Sequence, residues 1–227
     1  MSLLNVLFPP GCLVCGRLGS YICTRCTGGL AEVQKQTCIY CGSPGMWGLT
    51  HPSCLRTNGV DGALALYFYN KPLKKIIAGI KYRLVRDAFC DLLFIIGKRG
   101  AFLTGVRRIF GNPVLVPVPL SGARLRARGF NQTKILTRIF SYLLSFSEAD
   151  LLIRQKESPP QAGLTSRKKR FQNQVGAFIT GEGVRIPQNI LLIDDVVTTG
   201  ATVKQAARAL KKNGAKMVYV LTVAKGR

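Results

Sequence analysis

Four pairs of cysteine or histidine residues lie within the first 54 positions and constrain the fold more than any other feature. They use seven of the eight cysteines and the only histidine. The pairs are Cys12 with Cys15, Cys23 with Cys26, Cys38 with Cys41, and His51 with Cys54. The gap of two residues within each pair lets both side chains reach one ion, and a tetrahedral zinc site takes two such pairs. The sequence therefore predicts two structural zinc ions in a segment too small to form its own core.

The grouping of these ligands has two solutions. Consecutive grouping places the first two pairs around one ion and the last two around another, whereas interleaving mixes them. Short loops cost less closure entropy, which favours consecutive grouping. A disulfide framework is the competing interpretation, but four repeats of one spacing without a secretion signal favour zinc.

The chain start and the apolar runs predict a soluble, cytoplasmic protein without a transmembrane segment. The start, MSLLNVLFPPGC, has no basic leading region, and Pro9 and Pro10 interrupt the apolar stretch that a signal peptide requires. The run DLLFIIGKRGAFL is broken at Lys98 and Arg99, so it falls short of the ~18 apolar residues that a spanning helix needs.

Composition predicts a folded chain with a surface that attracts phosphate. The 227 residues suffice for one core plus a small appendage, and 47% of them are hydrophobic. The formal net charge of +23 predicts attraction to nucleotides, nucleic acid or an anionic membrane face. Net charge alone does not distinguish among these partners.

The region after the paired ligands begins with a predicted strand, DGALALYFYN, and a helix, KPLKKIIAGIKYRLV, which Asn70 caps. The helix pattern favours a solvated face over a phosphate-binding one for Lys74, Lys75, Lys81 and Arg83. The sequence pattern of residues 86–110 predicts a second helix that ends near GKRG and is followed by a basic connector. Cys90 stands apart from the pairs and is interpreted as a small buried side chain.

Alternating patterns in the rest of the chain predict an α/β fold with a parallel sheet flanked by helices. The predicted strands are PVLVPVPL, ADLLIRQ, NILLIDDVV and AKMVYVLTVA. The predicted helices between them are NQTKILTRIFSYLLSF and TGATVKQAARALKKNG. The last helix is the best defined, because TTG precedes it and KKNG supplies cations and a glycine at its end.

Asp194 and Asp195 follow the apolar run NILLI, at the end of a strand where an open parallel sheet binds its ligands. Two adjacent carboxylates need hydrogen-bond donors, a metal or nearby cations, and the hydroxyls of a ribose supply donors. The following TTGAT offers hydroxyls, a glycine for close approach and amides at a helix start, which together suit a phosphate. The sequence therefore predicts a pentose phosphate site.

The stretch LLIDDVVTTGAT resembles the phosphoribosyl pyrophosphate (PRPP) signature of type I phosphoribosyltransferases. The resemblance implies a type I phosphoribosyltransferase-like fold, PRPP as the ligand and magnesium bound with it. It assigns the acidic pair to the ribose hydroxyls and the following loop to the 5'-phosphate. The loop comprises Val197, Thr198, Thr199, Gly200, Ala201 and Thr202.

Nearly the whole chain resembles the ComF/ComFC family, through LFPPGCLVCG, KYR, PVPLSGARLRARGFNQ and SPPQAGLTSRKKRFQN. The resemblance implies a zinc-binding, double zinc ribbon-like segment at 1–58, a phosphoribosyltransferase-like domain at 59–227, and a part in DNA uptake during natural transformation. It also implies a basic loop before a helix, which carries Arg124, Arg126 and Arg128. Family positions without an assigned role are matched by Gln161, Arg170 and Asn173.

The sequence leaves three functions open. In the first, an enzyme displaces pyrophosphate from the ribose with a nitrogen nucleophile, and magnesium and arginines stabilise the departing charge. Its acceptor and its general base stay unassigned. In the second, PRPP or a nucleotide is an effector, and the basic surface and zinc segment bind single-stranded DNA beside competence-machinery proteins. A transcriptional regulator ranks last, because no helix-turn-helix pattern precedes residue 114.

Metal analysis of the purified protein tests the ligand count. We expect about two zinc ions per chain, because eight ligands complete two closed tetrahedral sites. Plasma mass spectrometry against protein concentration measures the ratio. One ion or none would contradict the consecutive grouping.

Overall fold

The computed structural model describes residues 9–82, 88–155 and 176–226. The strands are β1 (Gly62–Phe68), β2 (Val114–Pro117), β3 (Leu152–Arg154), β4 (Phe178–Thr180), β5 (Asn189–Val197) and β6 (Met217–Lys225). The α-helices are α1 (Thr24–Thr27), α2 (Lys71–Tyr82), α3 (Ala88–Gly97), α4 (Gly100–Phe110), α5 (Gly122–Arg128), α6 (Gln132–Leu144) and α7 (Ala201–Lys212). None of the helices in this described part has the length and apolar character needed to cross a bilayer.

The predicted parallel sheet is confirmed, with strand order β1-β6-β5-β2 and parallel pairing throughout. Both of its faces are covered, and β5 shows why the strands read as continuous apolar runs. Ile190 and Leu192 join the core beneath α7 and the β3-β4 pair, whereas Leu191 and Ile193 join the core formed with α2, α3, α4 and α6. All four side chains are fully buried.

The strand predicted from ADLLIRQ exists, but its expected place in the parallel sheet is wrong. β3 pairs antiparallel with β4 in a separate two-stranded sheet. The exposure of its side chains gives the reason: Leu152 is buried, whereas Ile153 is 52% exposed. A strand with one solvent-exposed face is typical of an antiparallel pair that packs on a helix, because a central parallel strand is buried on both faces.

The segment between β1 and β2 corrects one prediction and confirms another. Asn70 caps α2 as predicted, since its Oδ1 accepts a hydrogen bond from the backbone N–H of Leu73 at 3.2 Å. The basic connector predicted before β2 is instead helical and forms α4. Its buried face consists of Leu103, Val106 and Phe110. These residues recur at helical intervals that two nearby glycines obscure in the sequence.

The prediction of a buried Cys90 is wrong, because this side chain is exposed. Helix α3 turns its other face to the core and buries Leu92, Ile95 and Ile96. Phe94, one helical turn after Cys90, is 54% exposed and marks the same outer face. Although its composition is mostly apolar, α3 therefore has one buried face and one exposed face.

The N-terminal segment packs directly on the sheet and its helices. Ile22 and Leu30 belong to the same core cluster as β1 and α2. Trp47 lies against α4 at Gly105 and forms a ring pair with Phe102, with centroids 6.0 Å apart. A Cβ at position 105 would lie 1.9 Å from the indole, so a glycine is needed there for the two parts to meet.

Gly105→Ala tests this contact. Alanine normally stabilises a helix by about 0.5–1 kcal/mol over glycine, but here its methyl group would overlap Trp47. We expect a net loss of about 1–3 kcal/mol in the free energy of unfolding, the usual scale of overpacking. Urea unfolding measures it.

Gly97→Ala is the matched control, because its Cβ would enter open space at the end of α3. It should be neutral or slightly stabilising. Equal effects of the two substitutions would contradict the docking of Trp47 on α4.

Candidate functional site

The acidic pair lies on β5 just after its pairing with β2 ends, where its pairing with β6 continues. The predicted strand NILLIDDVV is confirmed as β5, which stays paired with β6 as far as Val197. On the other side, pairing with β2 ends at Ile193, whose carbonyl accepts a hydrogen bond from the N–H of Val118 at 3.0 Å. Beyond this point β2 turns away into α5. Asp194 and Asp195 therefore border an open crevice at the carboxyl edge of the sheet.

A cavity of about 290 Å³ fills this crevice. It brings together the acidic pair, two threonines of the phosphate loop and two of the predicted arginines. The polar and charged residues of its wall are Tyr69, Lys81, Arg124, Arg128, Gln132, Thr133, Arg154, Asp194, Asp195, Thr198 and Thr202. Four cations thus face two carboxylates, an excess of positive charge that suits a ligand with several phosphates.

The two carboxylates line the same cavity but have different charged neighbours. Asp195 is 8% exposed and forms an ion pair with Lys81 of α2. The solvated face predicted for Lys81 is therefore wrong, although Lys74 and Lys75 are exposed as expected. Asp194 lies within the electrostatic reach of Arg154 on β3.

Asp194 is the member of the pair whose charged form is less favourable. Burial, and next the charge of Asp195, raise the pKa of its carboxyl well above the usual range, while Lys81 lowers it only in part. Its Oδ1 accepts a hydrogen bond from the backbone N–H of Asp195 at 2.8 Å. This single amide bond does not offset burial, so the carboxyl is suited to accept hydroxyl donors or a cation from a ligand.

The phosphate loop follows β5 and begins α7. Gly200 has a φ of 72°, a left-handed conformation that glycine adopts without strain. The Oγ1 of Thr199 accepts a hydrogen bond from the N–H of Ala201 at 3.4 Å, and Lys204 Nζ donates to the carbonyl of Thr199 at 3.3 Å. The amides at the start of α7 have no partners within the helix, and its dipole favours an anion there.

The second zinc ligand group also contacts this loop. Ile39 and Tyr40 lie between the ligands Cys38 and Cys41 and form a knuckle. A Cβ at Gly200 would lie 3.0 Å from Ile39 Cδ1, and Lys204 Nζ lies 4.6 Å from the centre of the Tyr40 ring. The N-terminal segment thereby supports the backbone that would hold a phosphate.

The basic loop predicted after β2 is a helix instead, α5. Arg124 and Arg128 line the cavity, whereas Arg126 is exposed on the outer side of this helix. Arg128 donates to the side-chain oxygen of Gln132 at 3.2 Å, and Thr133 Oγ1 donates to the carbonyl of Val118 at 2.6 Å. These bonds tie α5 and α6 to the end of β2 and so fix the direction of the arginines.

The first zinc ligand group is Cys12, Cys15, Cys23 and Cys26, whose sulfurs all lie within 4.8 Å of one another. Cys15 Sγ and Cys23 Sγ are 3.7 Å apart, close to the edge of a tetrahedron with Zn–S bonds of about 2.3 Å. Burial raises the pKa of the Cys12 thiol, but backbone hydrogen bonds outweigh it and lower that pKa to about 6. Burial and the three neighbouring thiols raise the pKa of Cys26 to about 12. Four thiolates at this spacing need a cation, and zinc fits.

The second ligand group is Cys38, Cys41, His51 and Cys54, again within 4.8 Å. His51 Nδ1 lies 3.4 Å from Cys41 Sγ, while Nε2 lies 2.9 Å from the carbonyl of Pro44. The Nε2–H donates to that carbonyl, which leaves Nδ1 as the zinc ligand. The structure therefore has the consecutive grouping that short loops favour.

The polar cavity residues that sequence reasoning missed include Tyr69, Lys81 and Arg154. A signal existed for two of them. Tyr69 directly follows β1, and Arg154 is the last residue of β3. Both therefore lie at the end of a strand, which is the position that made Asp194 a candidate. Lys81 had no such signal, because its helical face alone does not reveal that Asp195 lies opposite.

Some sequence expectations lie outside the described residues. They concern Arg83, Ser158, Gln161, Arg170 and Asn173.

Asp194→Asn tests the strain at the acidic pair. The pKa of the Asp194 carboxyl is raised in the folded state, so the folded protein keeps this carboxyl protonated to higher pH than the unfolded chain does. The free energy of unfolding of the wild type therefore falls as pH rises above the ordinary aspartate range. The asparagine variant does not titrate. We expect it to gain about 0.5–2 kcal/mol at pH 8, the usual scale for relieving strain at a functional site, and to lose this gain near pH 4.

Urea unfolding at both pH values measures the difference. Asp150→Asn is the control, since that carboxylate is exposed and paired with Lys134 at the surface. Equal or lower stability of Asp194→Asn at pH 8 would show that this carboxylate is not strained.

Two family models match the chain. A double zinc ribbon domain matches residues 3–56, and a phosphoribosyl transferase domain matches residues 136–227. Together with the parallel sheet and the two cysteine-rich groups, these matches confirm the predicted fold class and the zinc ribbon.

Several curated proteins are similar over most of the chain. Competence protein ComFC of Streptococcus pneumoniae is 32% identical over 161 residues, covering 70% of this chain and 66% of that protein. Competence protein ComFC of Bacillus subtilis is 30% identical over 207 residues, covering 85% and 79%. DNA utilization protein YhgH of Escherichia coli K12 is 28% identical over 207 residues, covering 88% and 86%.

Among solved structures, a hypoxanthine phosphoribosyltransferase from Staphylococcus aureus aligns over 60% of this chain and 64% of its own, with 16% identity and a TM-score of 0.35. That likeness is too weak to argue from. The family assignment rests on the curated relatives, the two domain matches and the paired zinc ligand groups. On these grounds, the chain belongs to the ComFC family of competence proteins.

Proposed function

We propose that the chain binds PRPP in the cavity at the carboxyl edge of its sheet and transfers the phosphoribosyl group to a nitrogen acceptor. One observation carries the proposal: a single cavity joins Asp194 and Asp195 to Thr198 and Thr202 and surrounds them with cations. The match to a phosphoribosyl transferase domain supports it. The proposed architecture is a zinc-binding segment at 1–58 and a phosphoribosyltransferase-like domain at 59–227.

Each part of PRPP has partners of matching chemistry. The carboxylates accept hydrogen bonds from the ribose hydroxyls, and the loop from Val197 to Thr202 holds the 5'-phosphate with its amides and hydroxyls. Arg124, Arg128 and Arg154 face the pyrophosphate, where guanidinium groups bind phosphate oxygens in pairs. Arg126 contributes to the field from the outer side of α5.

Magnesium fits this arrangement. Its preferred ligands are carboxylate, phosphate and water oxygens, and the cavity offers the two aspartates beside the expected pyrophosphate. Bound there, it would neutralise the charge that develops on the leaving group. The arginines share this role, and no cavity residue in the described part of the chain is a histidine. A catalytic base therefore stays unassigned.

The biological setting comes from the relatives. Their printed names are competence and DNA utilization proteins, so we place this chain in DNA uptake or related nucleotide metabolism. Its net charge of +23 suits work beside nucleic acid. A cytoplasmic location and contact with other competence proteins belong to the same proposal.

A second function, single-stranded DNA binding with PRPP as an effector, has one observation in its favour. A groove of about 730 Å³ lies where the N-terminal segment meets α4. It combines the tilted ring pair of Trp47 and Phe102 with the cations Lys35, Lys98 and Arg99. Aromatic faces beside positive charge are what unpaired bases and their phosphates bind. The sequence alone showed no such platform.

Replacing both carboxylates, Asp194→Asn with Asp195→Asn, tests the ribose assignment. We expect PRPP affinity in the presence of magnesium to fall at least tenfold, about 1.4 kcal/mol, because amides are weaker acceptors and do not hold the cation. Calorimetry measures the affinity, and Asp150→Asn is the control. Unchanged affinity of the double variant would remove the assignment.

Oligonucleotide titration on the same preparations separates the two functions. If DNA binding is the main activity, affinity falls steeply with salt and Lys98→Glu reduces it, with or without PRPP. A flat salt response combined with pyrophosphate release from PRPP favours the transferase.

A further inference from the structure

Lys81 is a cation of the site cavity to which the proposed function gives no role. It lies in the last turn of α2 and lines the cavity beside the acidic pair. The arginines of the cavity come from α5 and β3 and are assigned to the pyrophosphate. The position of Lys81 next to the carboxylates points to a different part of the ligand.

The ion pair of Lys81 with Asp195 is largely removed from water. The side chains are 20% and 11% exposed, respectively. Ile77, Ile80 and Val223 belong to the wall of a small, mostly apolar space that adjoins both charged residues. In such surroundings two opposite charges attract each other more strongly than at the surface, and either charge left alone is costly. The contact therefore differs from an exposed salt bridge, which contributes little.

Neighbouring groups hold both oxygens of the Asp195 carboxylate. Its Oδ1 accepts a hydrogen bond from the backbone N–H of Val196 at 2.9 Å. Its Oδ2 is enclosed and contacts Lys81 Nζ. A carboxylate has about four acceptor positions, so these two contacts leave room for hydroxyl donors. Without Lys81, the enclosed Oδ2 would be a buried acceptor without a donor, and the carboxylate would gain by rotating.

We propose that Lys81 is a positioning residue, which holds the Asp195 carboxylate in the orientation that receives the ribose hydroxyls. The inference rests on the proposed function and adds to it a residue that acts on ribose binding through Asp195. Because the ammonium of Lys81 faces Asp195, it serves the ribose end of the cavity. Arg124, Arg128 and Arg154 serve the pyrophosphate end.

Ribose 5-phosphate and methyl phosphate are the probes that test this inference. Both carry one phosphate group, but only ribose 5-phosphate carries hydroxyls, so the ratio of their affinities reports the ribose contacts and cancels changes in the electric field. NMR titration of the full chain measures the ratio. We expect the wild type to prefer ribose 5-phosphate by about tenfold or more, and Lys81→Met to reduce this preference by about threefold or more. A preference that survives in Lys81→Met would overturn the inference.

Lys74→Met is the matched control, because Lys74 is exposed on the same helix and lies outside the cavity. It removes the same charge and should keep the wild-type preference. An equal loss in both variants would show an effect of net charge and overturn the inference.

Asp195→Asn shows whether Lys81 acts through Asp195. Adding Lys81→Met to Asp195→Asn should change the preference no further, because the carboxylate that Lys81 orients is already gone. A further loss in the double variant would overturn the inference. This comparison also decides the question if Lys81→Met alone does not fold, because the double variant has no unpaired buried charge.

The two levels of proposal fail differently. If the wild type prefers ribose 5-phosphate and Lys81→Met keeps that preference, the role of Lys81 is wrong and the proposed PRPP site stands. If the wild type binds both probes equally, the ribose assignment is wrong, and the proposed function fails together with the role of Lys81.

Discussion

The unequal pairing of β5 is the constraint on which the rest of the site depends. Its hydrogen bonds to β6 continue to Val197, while those to β2 end at Ile193. The last residues of β5 are thus held rigidly on one edge and open on the other. This places charged groups on a fixed backbone beside a crevice, which is how a sheet can hold a ligand without a flexible arm.

Electrostatics then determines what the crevice can bind. Asp195 is balanced by Lys81, whereas Asp194 is half-buried with only partial compensation. The surrounding arginines come from two different elements, α5 and β3, and they face a common space. Cations that converge without enough carboxylates favour a polyanion, and the unbalanced Asp194 favours a ligand that also carries hydroxyls or a metal ion. A phosphorylated sugar with magnesium satisfies both requirements.

The zinc-binding segment is continuous with this site. Its second knuckle touches Gly200 and Lys204, and its Trp47 rests on a glycine of α4. Structural zinc fixes short segments that lack a core of their own. Here the same rigidity supports the phosphate loop, so the zinc-binding segment and the candidate site form one connected structure.

The sequence by itself determined the elements whose signal is local. The spacing of the ligands predicts both zinc groups, and continuous apolar runs predict the parallel strands. The stretch from Asp194 to Thr202 predicts the loop. Each of these patterns depends only on neighbours along the chain. Only the tertiary structure decided what depends on distant partners: that Lys81 meets Asp195, that Arg154 reaches the cavity from an antiparallel strand, and that Cys90 faces outward. These outcomes follow from which faces pack together, and helical or strand periodicity defines a face without specifying what covers it.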